Sequence, residues 1–336
     1  MSNLLITGGA GFIGANFVRY WRERHADDKI IVLDALTYAG NRFSLDGIAD
    51  VSFVHGDIRD GPLVMTLLRE QGIDTLVHFA AESHVDRSIE SATEFVRTNV
   101  LGTQVLLNNF RASGCGRFVH VSTDEVYGSL GPTGRFVETT PLDPTSPYAA
   151  SKAASDLMVL AGCKTHGLDA VVTRCTNNYG PYQFPEKLIP LFITNAYEDK
   201  NLPLYGDGMN VRSWLYVTDH CEALLAVGEK GKSGEVYNIG GAAEAEIPNA
   251  QVTSAILKAL DKPDTLIQKV GDRPAHDRRY AIDYAKINRE LGWSPRTSFE
   301  HGLQQTIDWY LGNQQWWKSI KAGEYLNYYE RNYSNR

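Results

Sequence analysis

Short apolar, β-branched runs recur through the first half of the chain, each bounded by Gly, Asp or Ser: Leu4 to Thr7, Ile30 to Leu33, Val51 to His55, Thr75 to Phe79, Arg117 to Val121 and Ala170 to Thr173. Runs of this length read as strands buried on both faces. Between them, amphipathic stretches predict helices over Phe12 to Arg24, Pro62 to Gln71, Thr93 to Ser113 and Pro147 to His166. Such alternation predicts an α/β fold with a doubly wound parallel sheet. Past Asn177 the alternation loosens and Gly, Pro, Asn and Tyr become frequent, which predicts a smaller mixed α/β lobe rich in loops. The chain end, from Trp309 through Trp316 and Trp317 to Tyr333, is aromatic and reads as a packing cover for that lobe.

Composition narrows the function classes. With 33 Lys+Arg against 40 Asp+Glu the formal charge is -7, which argues against a nucleic-acid binder. The four cysteines (Cys115, Cys163, Cys175, Cys221) form no CxxC pair, so no metal site is expected. Scattered single cysteines read as reduced thiols of a cytoplasmic chain. The opening MSNLLITGGAGFIG has no basic flank and is not expected to be a signal peptide. No apolar run has the length that crossing a membrane requires.

Gly8-Gly9-Ala10-Gly11-Phe12-Ile13-Gly14 follows the first strand and opens the first helix. This pattern turns the chain tightly and sets backbone N–H groups and a helix N-terminus against a pyrophosphate. Asp34, closing the second strand, is placed to accept hydrogen bonds from ribose hydroxyls. Together they predict a Rossmann-type sheet. Ala35 and Leu36 offer no cation for a 2′-phosphate, so the expected cofactor is NAD rather than NADP. Asp57-Ile58 reads either as a contact to the adenine edge or as a helix cap.

Tyr148-Ala-Ala-Ser-Lys152 puts a phenol and an ammonium on one helix face, where the cation favours phenolate. Ser122-Thr123-Asp124-Glu125 lies at the C-terminal end of the fifth strand, where ligand crevices form. The two acids read equally as first-turn residues complementing a helix dipole. With the glycine motif, YxxxK resembles the extended short-chain dehydrogenase/reductase superfamily. Four further segments carry the resemblance further: Ala80 to Ser88 (AAESHVDRS), Asn177 to Pro181 (NNYGP), Pro185 to Pro190 (PEKLIP) and Arg273 to Arg279 (RPAHDRR). Over almost its whole length the chain is similar to nucleotide-sugar 4,6-dehydratases, most closely those acting on dTDP-glucose.

That resemblance implies NAD as cofactor and dTDP-glucose as substrate, with no nucleic acid, membrane or metal partner. It implies Tyr148 as the base toward the sugar 4-hydroxyl, Lys152 as its tuner, Thr123 bonded to the 4-oxygen, Glu125 removing the C5 proton and Asp124 protonating the departing 6-hydroxyl. NAD would be met by Gly8, Gly11, Phe12, Ile13, Gly14, Asp34, Thr37, Asp57, Ile58, Ala80, Ala81, Ser83, Thr98, Tyr148, Lys152 and Asn178. The nucleotide sugar would be met by His84, Thr123, Asn177, Lys187, Leu188, Pro203, Tyr205, Arg212, Asn249, Arg273 and His276. Arg212 and Arg273 suit a diphosphate, whose oxygens a guanidinium fork can pair two at a time; a surface ion pair is the less favoured reading of each. His84 reads equally as a core histidine, and Lys187 as a solvated cation.

The implied organisation is an NAD-binding region of residues 1–176 plus about 213–240, and a sugar-nucleotide lobe of 177–212 and 241–336. Relatives usually carry Gly where this chain has Ala275, and at a positive φ that change costs about 1 kcal/mol. A homodimer is implied, paired through the helices over Thr93 to Ser113 and Pro147 to His166. A UDP-glucose 4,6-dehydratase or a 4-epimerase would share the glycine motif and YxxxK, but 4-epimerases usually lack the adjacent Asp-Glu. A non-enzymatic NAD sensor would have no use for Thr123, Asp124, Glu125, Tyr148 and Lys152 together.

Overall fold

The computed structural model describes residues 2–272 and 277–322, so Arg273, Ala275, His276 and the aromatic residues beyond Ala322 lie outside the described residues. The first part of the chain runs β1 (Asn3–Thr7), α1 (Phe12–Arg24), β2 (Lys29–Asp34), β3 (Val51–His55), α2 (Gly61–Glu70), β4 (Thr75–His78), α3 (Val85–Glu90), α4 (Ala92–Phe95), α5 (Thr103–Ser113), β5 (Arg117–Thr123), α6 (Pro147–His166) and β6 (Ala170–Cys175). There follow β7 (Asn177–Tyr179), α7 (Leu188–Tyr197), β8 (Leu202–Tyr205), β9 (Val211–Tyr216), α8 (Val217–Lys230), β10 (Val236–Ile239), β11 (Glu246–Pro248), α9 (Asn249–Ala259), β12 (Ile267–Val270), α10 (Ala285–Leu291), α11 (Phe299–Gly312) and α12 (Gln314–Lys321).

A seven-stranded parallel sheet, ordered β10-β6-β5-β4-β1-β2-β3, forms the centre. The two-residue period of its strands sorts the core. Leu4 and Ile6 point into one layer with Phe17 and Val18 of α1 and Leu224 of α8. Leu5, between them, points into the other with Leu67 of α2, Leu106 of α5 and Val159 of α6. All six strand-like runs are strands of this sheet. The seventh, β10, is only four residues long and was not among them.

Strand ends matter for the site. β5 extends past Val121 to Thr123, and β6 past Thr173 to Cys175, so Ser122, Thr123 and Cys175 stand at the C-terminal edge. The chain order reverses between β1 and β4, which opens the crevice in which such sheets bind ligands.

The helix expected over Thr93 to Ser113 is not uniform. Residues Val96–Gly102 form π-helical turns between α4 and α5. There the buried Asn99 side chain accepts a hydrogen bond from Glu82 N (2.9 Å) and donates to Glu82 O (3.0 Å) and Ser151 Oγ (2.8 Å). A widened turn that aims one side chain at two other elements is a frequent use of this geometry. The helix α6 starts where local chemistry dictates, with Ser146 Oγ accepting from Ala149 N (3.1 Å) and Pro147 at its first position.

The second lobe holds the three-stranded sheet β11-β9-β7, the pair β12-β8, and α7, α9, α11 and α12. Tyr310 and Trp317 are each 1% exposed within its core, and Trp309 and Trp316 pack against that core. The aromatic chain end is therefore a cover as far as it is described. Among the described residues, no helix is long and apolar enough to cross a membrane.

Candidate active site

One cleft runs along the C-terminal edge of the sheet. Its floor at β1 is the glycine turn. Gly8 has φ +71°, and a Cβ there would lie 2.5 Å from Ala80 N. A Cβ on Gly14 would lie 2.4 Å from Gly8 O, so the helix can approach the strand only without one. The first turn of α1 has no side-chain cap, and its residues Phe12, Ile13 and Gly14 line the cleft. At the end of β2, Asp34 accepts from Ala10 N (2.9 Å) through Oδ2 and from Leu36 N (2.8 Å) through Oδ1. Each oxygen keeps a second lone pair for a ligand donor. Asp57 does not cap α2. The cap is Asp60, which accepts from Leu63 N (3.0 Å), whereas Asp57 pairs with Arg59 (2.6 Å).

Gly8, Gly11, Phe12, Ile13, Gly14, Asp34, Thr37, Asp57, Ile58, Ala80, Ala81, Ser83, Thr98, Tyr148, Lys152 and Asn178 all line this cleft. So do Thr123, Asp124, Glu125, Asn177 and Lys187. His84, Leu188, Pro203, Tyr205, Arg212 and Asn249 stand outside that lining. His84 Nε2 is buried 3.6 Å from Glu186 Oε1. Leu188 opens α7, Pro203 and Tyr205 lie on β8, and Tyr205 donates a long hydrogen bond to Asp86 Oδ2 (3.5 Å). Arg212 on β9 is buried, donates to Asp277 O (2.9 Å) and Val211 O (2.8 Å), and stacks on Tyr280. Asn249 opens α9, and its backbone N–H donates to Asn210 O (3.0 Å).

The expected catalytic residues come from two elements. Thr123, Asp124 and Glu125 follow the end of β5, and Tyr148 and Lys152 come from the first turns of α6. Thr123 Oγ1 accepts from Glu125 N (3.3 Å), which holds the two acids in a tight turn. Asp124 is 2% exposed, and its Oδ2 has no hydrogen-bond partner among the described residues. Burial, and then the neighbouring charge of Glu125, push its carboxyl up to about 7, against the pull of Thr176 and Arg212. Glu125 is only partly buried. Two adjacent acids thus sit in unlike environments, the arrangement that separates an acid from a base at one pH.

The Tyr148–Lys152 pair differs from the expectation that the ammonium holds the phenol low. Lys152 Nζ donates to Val121 O (2.9 Å). Burial raises the Tyr148 phenol well above its ordinary value, Glu125, Cys175 and Asp124 add to that, and Thr123 opposes it through a hydrogen bond. Burial lowers Lys152 to about 8.

Several cleft residues escaped the sequence reading. Tyr38, Cys175, Thr176, Gln183, Phe184 and Glu186 all line it. Burial lifts the Glu186 carboxyl to about 7, with Lys187 and Arg87 opposing. It stands inside PEKLIP, beside the residue that was singled out. Cys175 and Thr176 follow a strand whose true end the apolar run understated.

The dTDP-glucose 4,6-dehydratase of Xanthomonas campestris pv. campestris (strain B100) is 53% identical, covering 97% of both chains. This chain belongs to the dTDP-glucose 4,6-dehydratase family. The enzyme of that name from Escherichia coli (strain K12) is 47% identical over 99% of both chains. Among solved structures, the family member DesIV from Streptomyces venezuelae, crystallised with NAD bound, superposes with a TM-score of 0.91 at 53% identity, covering 95% of this chain and 100% of that one. The broader family model described as GDP-mannose 4,6 dehydratase matches residues 5–306.

Proposed function

We propose that this chain converts dTDP-glucose to dTDP-4-keto-6-deoxyglucose as an NAD-dependent lyase. The observation that carries the reading is the pair Asp124–Glu125, one acid buried and shifted up to about 7 and the other half-open, beside Tyr148 in the same cleft. The cleft fits a dinucleotide: the close approach at Gly8 and Gly14 admits a pyrophosphate against the α1 N-terminus, and Asp34 stands where a ribose would present hydroxyls. NAD, when bound, accepts hydrogen from C4 of the sugar and returns it to C6.

The residues of the chain would do the proton work. Tyr148, raised by burial, would have to ionise beside the Lys152 ammonium before taking the proton of the 4-hydroxyl, and Thr123 would hydrogen-bond the 4-oxygen. The 4-ketone acidifies the C5 proton, which Glu125 removes. Asp124 gives its proton to the 6-hydroxyl, which leaves as water. Glu125 then returns its proton to C5 as C6 is reduced, and the proton held by Tyr148 passes through solvent to Asp124, so the net change is loss of one water. The NAD-lining residues given above form the cofactor side. Asn177 and Lys187 serve the sugar, while His84, Leu188, Pro203, Tyr205, Arg212 and Asn249, with Arg273 and His276, serve the nucleotide end. Residues 1–176 and about 213–240 act as the NAD-binding region, and 177–212 with 241–336 as the sugar-nucleotide lobe. The cytoplasm, where NAD and nucleotide sugars are made, is the proposed location.

Incubating the protein with dTDP-glucose and with UDP-glucose, followed by mass spectrometry, tests this. Conversion of dTDP-glucose to a product lighter by one water is expected, with UDP-glucose the poorer substrate. Unchanged mass with an inverted C4 would make the chain an epimerase.

A homodimer is also proposed. Val96, Leu101, Leu157 and Met158 are large apolar side chains left exposed on the 96–102 turns and α6, the segments expected to pair across a two-fold axis. Light scattering should give twice the chain mass, and Leu157→Glu should shift it toward the monomer. A monomeric wild type would contradict the pairing.

A further inference from the structure

The mechanism gives no task to Asp156, the acid one turn beyond Lys152. Asp156 is fully buried on α6, one turn after Lys152 and on the same face. Its Oδ2 accepts from Arg174 Nε on β6 (2.8 Å), and its Oδ1 is 3.3 Å from His120 Nε2 on β5. Arg174 is itself held, donating to Tyr127 Oη (2.9 Å), which donates to Asn238 Oδ1 (2.8 Å) on β10. Ser155 completes the frame, its Oγ donating to Lys152 O (2.8 Å) and standing 3.1 Å from His120 Nε2. The carboxylate therefore cannot swing away, and the frame ties it to three strands of the sheet.

We infer that Asp156 is a positioning residue for the reaction, a fixed countercharge that keeps the Lys152 ammonium protonated inside the dry site. The inference rests on the proposed function for its kinetic consequence. Lys152 is 4% exposed and has a neutral carbonyl, Val121 O, as its hydrogen-bond acceptor. An ammonium so placed sheds its proton unless an anion is near.

The groups around it are few. Tyr148 shares its helix, Cys175 and Arg174 lie on β6, His120 on β5 and His78 on β4, with Asp124 and Glu125 beyond β5. Burial, and then the charge of Lys152, keep His120 down at about 4, so its ring is neutral at pH 7. His78 is also held well below its ordinary value by burial, His120 and Lys152. Arg174 adds a second cation. Asp156 is the largest influence opposing the burial of Lys152.

The test uses Glu125→Gln as background, in which C4 oxidation is expected to leave NADH readable by absorbance. With dTDP-glucose, the rate of NADH formation should fall on the alkaline side with a midpoint near 8. Adding Asp156→Asn should lower that midpoint by about one pH unit while leaving the rate at low pH within about twofold. Adding Arg174→Gln should raise it, because the charge of Asp156 is then no longer shared with the Arg174 guanidinium. Rate loss of equal size at every pH, with an unmoved midpoint, would make Asp156 a structural partner of Arg174 and overturn the proposal. Titrating Lys152 by NMR of lysine-labelled protein needs no substrate. If no NADH forms in any variant, the proposed function fails, yet the NMR midpoints still test Asp156. If Asp156→Asn does not fold, Arg174→Gln alone decides: an upward NMR shift supports the proposal and none overturns it.

Discussion

Glu125→Gln is expected to abolish exchange of the C5 hydrogen of dTDP-glucose with solvent deuterium while C4 oxidation persists. The two steps use different side chains. In the proposed reaction Tyr148, on α6, takes the hydroxyl proton, and Glu125, on the turn after β5, takes the C5 proton. Gln matches Glu in shape but cannot accept a proton from carbon. Overall dehydration should fall by roughly 10²–10⁴-fold, the usual worth of a positioned base. The Thr123 Oγ1 to Glu125 N bond involves backbone, so the turn survives the change. NADH accumulating on the variant, with no deuterium at C5, is the signature. Exchange at the wild-type rate would move the base elsewhere.

Asp124→Asn should do the reverse, retaining C5 exchange and slowing loss of the 6-hydroxyl by roughly 10²-fold or more. The pH dependence separates acid from base. Asp124 is useful protonated, and its carboxyl is pushed up to about 7 by burial and by Glu125. The elimination step should therefore be at full rate below pH 7 and lose about tenfold per unit above it. In Asp124→Asn that decline near 7 should vanish, leaving a flat, low rate. A profile that keeps the same midpoint would assign the acid to another group, and Glu186, also near 7, is the first to examine.

The alternation of strand and helix was legible because strands buried on both faces are continuously apolar, and Leu4, Leu5 and Ile6 fill both core layers in turn. β10 was not legible: Val236–Ile239 lies where the alternation of strand and helix loosens, and its place beside β6 is set by contacts far apart in sequence. The π-helical turns at Val96–Gly102 were hidden for a similar reason, since a helical pattern does not record that Asn99 must reach Glu82 and Ser151 at once. Contiguous motifs at strand ends, such as Gly8 to Gly14 and Ser122 to Glu125, announced their place in the cleft. Glu186 and Cys175 did not, because each becomes part of the site only by packing against distant segments. Spacing put Lys152 beside Tyr148 but could not show its ammonium bonded to Val121 O, or Asp156 locked behind it by Arg174.

In the proposed reaction hydrogen leaves C4 and returns to C6 within one active-site visit. dTDP-glucose carrying deuterium at C4 tests it most directly, by mass spectrometry and NMR of the product. Deuterium is expected at C6 of the same sugar, in a product lighter by one water and without external NADH. Deuterium retained at C4, or lost to solvent, would contradict it.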